Sequence, residues 1–220
     1  MKFRLTYEGE LKAAGNHSRR VNEKWSIRKA LAPQLEELWK VHPALKGIGL
    51  CVERPLRMDP QGERRVAFKP RSEVAWEIKV PIIRGDRRFV PLVRNSLNLV
   101  CGLDILFMRK DQPGELILKG GDIDNRLKTL FDALSVPDAQ DIRPGDIPRD
   151  PQAHHSVQPP HDAPLFLCLL ESDSLITAVN VTTDRLLTAP NASPSTVHLV
   201  IEVSVAATEI TELNIGFIGD

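Results

Sequence analysis

The sequence has no excess of either charge, because 29 basic residues are matched by 29 acidic residues. A protein that coats nucleic acid non-specifically neutralises many phosphates, so a balanced charge argues against that class while leaving room for a local basic face. The chain also lacks an apolar run of membrane-spanning length, and residues 1–8 contain no apolar core of a secretion signal. These absences predict a cytoplasmic protein with no membrane partner.

Cysteine is scarce as well. Cys51, Cys101 and Cys168 lie far apart in apolar runs, and no CxxC pair occurs. An odd number of separated cysteines predicts buried, reduced thiols in a reducing compartment. With 42% hydrophobic and 26% charged residues the chain has the composition of an ordinary globular protein, and we expect residues 1–220 to form a single domain.

Alternating apolar residues predict strands, and apolar residues at helical spacing predict helices. The helices are expected over 21–41, where Pro33 is a potential kink, and over 124–134. The segment 165–171 has the length of a strand or a short helix. Strands are expected at residues 2–11, 47–52, 74–80, 88–93, 98–108, 175–181 and 196–205. This pattern predicts an α+β fold with a mixed β-sheet packed by two main helices.

A Pro-rich insertion is expected at about residues 136–164. It contains seven prolines, a density that forbids continuous helix or sheet. A loop of this length is typically a lid, a binding loop or a disordered segment. His154, His155 and His161 fall within it, and we interpret them as residues of an exposed polar loop rather than as a metal site.

The most informative segment is the one that opens the second helix. Asp122 and Asp124 are two residues apart, Asn125 follows, and Lys128 lies four residues beyond Asp124. Two carboxylates held together repel each other unless a cation lies between them, and oxygen ligands suit Mg²⁺. Acids and amides are also common at helix N-termini, but capping explains one of these residues well and all three poorly.

A magnesium site of this kind usually has a further acid from another element, for which Asp173 is the candidate because it directly precedes a predicted strand. Asp141 is closer in sequence but lies in the insertion. Asp104 lies within an apolar strand, where an unpaired buried carboxylate is costly, so it faces either the site or solvent.

Together, the segment from Asp122 to Leu134 and the segment Ser172–Ile176 resemble the RusA-type Holliday junction resolvases. In that family an Asp-x-Asp-Asn motif opens a helix, a lysine follows at this offset, and a third aspartate leads into a strand. The resemblance implies a small α/β dimer that uses Mg²⁺ to nick four-way DNA junctions. It implies metal-ligand roles for Asp122, Asp124 and Asp173, and a phosphate-contacting role for Lys128.

The leading hypothesis is therefore a Mg²⁺-dependent endonuclease for branched DNA such as Holliday junctions, in which Mn²⁺ is an alternative ion. Asn125 would orient the metal ligands or cap the helix. A basic face is expected to contact the DNA backbone through Arg19, Arg20, Lys24, Arg28 and Lys29. The alternatives are a non-catalytic nucleic-acid- or protein-binding module on the same fold, and a phosphohydrolase acting on a small substrate.

Overall fold

The computed structural model describes residues 1–12, 20–46, 81–84, 87–110, 122–142, 165–187, 195–211 and 213–218. Within these ranges lie two helices, α1 (Val21–Val41) and α2 (Asp122–Leu134). The same ranges contain seven strands: β1 (Lys2–Glu10), β2 (Ile82–Arg84), β3 (Arg87–Val93), β4 (Leu99–Arg109), β5 (Leu165–Leu170), β6 (Ile176–Arg185) and β7 (Thr196–Ala207).

The main sheet has four strands in the order β1-β7-β4-β6. β7 is antiparallel to both β1 and β4, whereas β6 runs parallel to β4. β1 and β4 are therefore parallel to each other, and their C-terminal ends lie at the same end of the sheet. The N-terminal end of β6 lies at the opposite end, where Ile176 pairs with Cys101.

Alternation along β4 and β7 produces one apolar face. Leu103, Ile105 and Phe107 of β4 are buried, as are the alternate residues of β7, namely Val197, Leu199, Ile201, Val203 and Val205. His198 and Glu202 lie on the other face of β7. Glu202 forms an ion pair there with Arg4, with Nη2 and Oε2 separated by 2.7 Å.

Helix α1 packs against β1 and continues through Pro33 without interruption. The side-chain amide of Gln34 bonds to the backbone of Thr6 in the manner of a neighbouring strand. Its Oε1 accepts from the Thr6 N–H at 2.9 Å, and its Nε2 donates to the Thr6 carbonyl at 2.7 Å. The helix thus protects an edge of β1 that would otherwise be open for pairing.

Helix α2 lies beside α1 and is fastened to the end of β1. Leu127, Leu130 and Leu134 pack into the main core, as the helical spacing predicts. Arg126 donates to the Leu11 carbonyl, and Thr129 lies 3.4 Å from the Lys12 carbonyl. The N-terminal half of α2 therefore lies at the end of the sheet where β1 and β4 finish.

The smaller sheet has the order β2-β3-β5, with β3 and β5 parallel. Phe89 of β3 and Phe166 of β5 pack with Trp25 of α1 in a cluster that also contains Cys168. Burial raises the pKa of the Cys168 thiol to about 12 and that of Cys101 to about 11, so both are inert thiols. Cys51 lies outside the described residues.

The fold is α+β, as the sequence predicts, with two main helices in the part of the chain that the structure describes. Segment 165–171 is a strand rather than a helix. The predicted strands at 47–52 and 74–80, and most of the insertion, lie outside the described residues. None of the described helices is both long and apolar enough to cross a membrane.

Candidate active site

The exposed face of α2 carries three charged residues. Asp124, Lys128 and Asp132 follow one another at intervals of four residues, so they fall within about 80° around the helix axis. Asp124 and Lys128 are exposed, and Asp132 is half-buried. Lys128 therefore lies off the buried stripe of the helix. Asp124 and Asn125 both lie inside the first turn of α2, which begins at Asp122, so neither is the residue that caps the helix.

This charged face leads to a pocket at the C-terminal end of α2. The pocket has a volume of about 300 Å³ and is lined by residues of α1, of β2, of the C-terminal part of α2, of the connection after α2 and of the turn between β5 and β6. Five acids line it, Asp132, Asp138, Asp141, Glu171 and Asp173, and three bases, Lys24, Arg28 and Arg84. Acids outnumber bases, so the pocket favours a cationic ligand over an anionic one.

Asp173 enters the pocket on a short 3₁₀ turn (Asp173–Leu175) that leads into β6. Ser172 precedes the turn, and its Oγ accepts a hydrogen bond from the Ser174 N–H. Serine, like aspartate, is a strong capping residue, so Ser172 caps the turn that carries Asp173. Glu171 anchors the segment, because its Oε2 accepts from the Asn95 N–H at 2.9 Å. Asp173 itself stays exposed within its turn.

Lys24 and Arg28 do not lie on an open basic face, contrary to the sequence prediction. Lys24 is 7% exposed and Arg28 is 3% exposed. The Nζ atom of Lys24 lies 2.6 Å from Asp141 Oδ2 and 3.3 Å from Asp132 Oδ2. Arg28 donates to the Asp132 and Ser135 carbonyls at the end of α2, and its guanidinium lies 5.2 Å from the centre of the Trp25 ring. Burial of a cation is costly unless it has such partners. These contacts therefore explain how both side chains can be buried.

The other residues of the predicted basic face differ among themselves. Lys29 is exposed, with its ammonium 6.0 Å from the Trp25 ring centre. Arg20 precedes α1 in a left-handed conformation, with φ of 48°, and pairs with Glu23 at 3.7 Å. Arg19 lies outside the described residues. Arg20 and Lys29 therefore remain as candidates for contacts with a DNA backbone.

Asp124 and Asp173 are the predicted metal ligands whose side chains the structure describes, and they do not line the same pocket. Asp124 precedes Asp132 by eight residues, about 12 Å along the helix axis, and Asp124 does not line the pocket that contains Asp173. No cluster of three or more potential metal-ligating side chains occurs among the described residues, which exclude the side chain of Asp122. Asp132 and Asp173 both line the pocket.

Sequence reasoning missed Asp132, Asp138 and Glu171. Asp132 could have been found from its position on α2, because it follows Lys128 by one helical turn and therefore lies on the same face of the helix. Asp141 was set aside because it falls in the insertion, yet it is 6% exposed and paired with Lys24. Asp104 faces solvent, where its Oδ2 accepts from the Asn180 amide at 3.2 Å.

No family model, curated protein or solved structure matches the chain.

Proposed function

We propose that this protein is a Mg²⁺-dependent endonuclease that cuts branched DNA such as four-way junctions, with its reactive centre in the acidic pocket. The observation that carries the proposal is the convergence of Asp132 from α2 and Asp173 from the turn before β6 on one cavity. Lys128 and Asp124 continue the same face of α2 beyond that cavity. The choice of DNA as substrate comes from the resemblance to the RusA-type resolvases.

The donors in the pocket suit a hard divalent cation. Mg²⁺ typically binds through one or two carboxylates and keeps several waters, and Mn²⁺ accepts the same oxygen ligands. One carboxylate oxygen of Asp132 lies near Lys24, and the side chain of Asp132 is 35% exposed. Asp173 is exposed in the pocket wall. When bound, the metal would polarise the scissile phosphate and lower the pKa of an attacking water.

The side chains around the pocket then have separate roles. Lys128 lies one helical turn from Asp132, about 6 Å along the axis, and would contact a phosphate oxygen where negative charge develops. Arg84 is exposed at the pocket, and Arg20 and Lys29 lie on or beside α1. These bases would hold the DNA backbone. The resemblance assigns Asp122 and Asp124 to the metal as well. The question to settle is therefore which aspartate of α2 would bind the metal together with Asp173.

Single substitutions on α2 answer that question. We expect Asp132→Asn to lower Mg²⁺-dependent nicking of a synthetic four-way junction by at least about 100-fold, because a metal contributes several kcal/mol to the transition state. Asp124→Asn should lower it by less than about 10-fold, since Asp124 lies about 12 Å from Asp132 along the helix axis and does not line the pocket. Loss of cleavage in Asp124→Asn with a mild effect of Asp132→Asn would instead assign the metal to the N-terminus of α2.

The same assay tests the function itself. The wild-type protein is incubated with a labelled four-way junction or a linear duplex, in Mg²⁺ or in EDTA. Paired nicks near the branch point that disappear in EDTA are the expected result. Junction binding without nicks in Mg²⁺ or Mn²⁺ would identify a non-catalytic binding module. Turnover of free nucleotides alone would identify a small-substrate phosphohydrolase, which the modest volume of the pocket favours as the second candidate.

A homodimer belongs to the proposal, because two sites related by a twofold axis would cut a junction symmetrically. β6 offers a surface for it, as the outer strand of the four-stranded sheet with no charged side chain from Ile176 to Thr183. Val179→Lys on this strand is expected to convert a dimer to a monomer in light scattering coupled to gel filtration. A dimer that survives this substitution would place the interface elsewhere.

A further inference from the structure

Lys24 is a buried lysine with two carboxylate partners that belong to different parts of the pocket wall. Its ammonium lies 2.6 Å from Asp141 and 3.3 Å from Asp132, and the residue is 7% exposed. Asp141 ends the 3₁₀ turn Ala139–Asp141 that follows α2. One side chain of α1 therefore links the wall formed by α2 to the wall formed by the connection after it.

Neighbouring residues of α1 reinforce both contacts. The indole of Trp25 donates from Nε1 to the Asp141 carbonyl at 2.6 Å. Arg28, one turn further along α1, donates to the Asp132 carbonyl. Asp132 is therefore held at its backbone by Arg28 and at its carboxylate by Lys24. The carboxylate oxygen near Lys24 is the Oδ2 atom, and the Asp132 side chain is 35% exposed and lines the pocket.

A positive charge next to a metal ligand has two opposing effects. It repels the metal, and it restrains the carboxylate that binds the metal. Asp141 is the closer partner of Lys24 and balances its charge, so the Lys24–Asp141 pair is neutral as a unit. The negative charge of Asp132 thus stays available to a cation, and the restraint remains.

We infer that Lys24 is a positioning residue that orients the Asp132 carboxylate toward a divalent cation shared with Asp173. The inference rests on the proposed function, because it needs a cation in the pocket. Outer partners that orient a ligating carboxylate typically account for about 10- to 100-fold in metal affinity. Lys24 would act through Asp132 without contacting the ion or the substrate.

Isothermal titration with Mn²⁺ as the probe tests the inference. The informative variant is the double substitution Lys24→Met with Asp141→Asn, which removes the buried pair as a unit and leaves the net charge of the pocket unchanged. We expect its Mn²⁺ dissociation constant to rise by about 10- to 100-fold. The matched control is Lys40→Met with Glu36→Gln, which removes an exposed ion pair from the same helix. The control should bind Mn²⁺ as the wild type does.

Asp141→Asn alone separates orientation from charge. This variant keeps the contact between Lys24 and Asp132 but leaves the ammonium unbalanced, so its Mn²⁺ affinity should fall through repulsion. If charge were the whole effect, removing Lys24 in the double variant would restore wild-type affinity. If orientation matters, the double variant stays weak. Unfolding curves measured in parallel verify that each variant is folded under the titration conditions.

The possible results distinguish this inference from the proposed function. Wild-type protein that binds Mn²⁺ and nicks junctions, together with a double variant of unchanged affinity, overturns the role of Lys24 alone. Wild-type protein that binds no Mn²⁺ overturns both the metal site and the positioning role. A weakened double variant with a normal Lys40 and Glu36 control supports the inference.

Discussion

Asp173→Asn is expected to reduce Mg²⁺-dependent junction cleavage by at least about 100-fold, because Asp173 lines the acidic pocket and is the pocket carboxylate that the resemblance assigns to the proposed metal. The free energy of unfolding should change by less than about 0.5 kcal/mol, since the residue is exposed within a turn that Ser172 caps. The measurement is a single-turnover cleavage rate, paired with urea unfolding of the same preparation.

Asp104→Asn is the matched control for this variant. It removes the same charge from an exposed aspartate on the outer face of the sheet, where the side chain bonds to Asn180. Its cleavage rate should equal that of the wild type. An Asp173→Asn protein that cuts junctions as fast as the Asp104→Asn protein would remove the pocket from the proposal, whatever its effect on Mn²⁺ binding.

Lys24→Met is expected to lower the free energy of unfolding by about 3–5 kcal/mol, the usual result of removing one partner from a buried ion pair. Asp141 is 6% exposed and would be left as a buried carboxylate without its nearest cation. Urea unfolding at neutral pH measures the loss. The exposed pair formed by Lys40 and Glu36 is the comparison, because Lys40→Met should change stability by less than about 1 kcal/mol.

A double-mutant cycle separates the ion pair from the packing of the lysine stem. Adding Asp141→Asn to Lys24→Met should recover most of the lost stability, because the buried charge and its partner leave together. A double variant as unstable as Lys24→Met would show that the stem of Lys24, rather than its charge, stabilises this region. The cycle is completed by measuring Asp141→Asn alone, and the interaction energy between the two sites is the stability change of the double variant minus the changes of the two single variants.

The sequence predicted local structure well because local structure is encoded in periodicity. Leu127, Leu130 and Leu134 recur at helical spacing, and Ile201 and Val203 alternate with polar neighbours, so α2 and β7 can be recognised without any tertiary information. The parallel pairing of β6 with β4 carries no such signal. It joins segments 75 or more residues apart, and strand order depends on contacts that no short window contains.

The site was only partly predictable for the same reason. Lys24 and Arg28 were interpreted as a basic surface, because lysine and arginine are seldom buried without partners. The nearest carboxylate to Lys24 is 117 residues away in the sequence. Asp173 could be proposed from the segment around it, whereas its place in one pocket with Asp132 depends on how α2 meets the turn before β6. The Lys24–Asp141 ion pair likewise depends on the tertiary structure alone.

The position of β7 determines when this protein can fold during translation. β7 lies between β1 and β4, so the first strand to be synthesised cannot join the main sheet until residue 207 has left the ribosome. Until then the apolar side chains of Leu5 and Tyr7 lack their strand partners Ile201 and Leu199. Pairing of β6 with β4 is available earlier, so the nascent chain can form a partial sheet in which the β7 side of β4 is still unpaired.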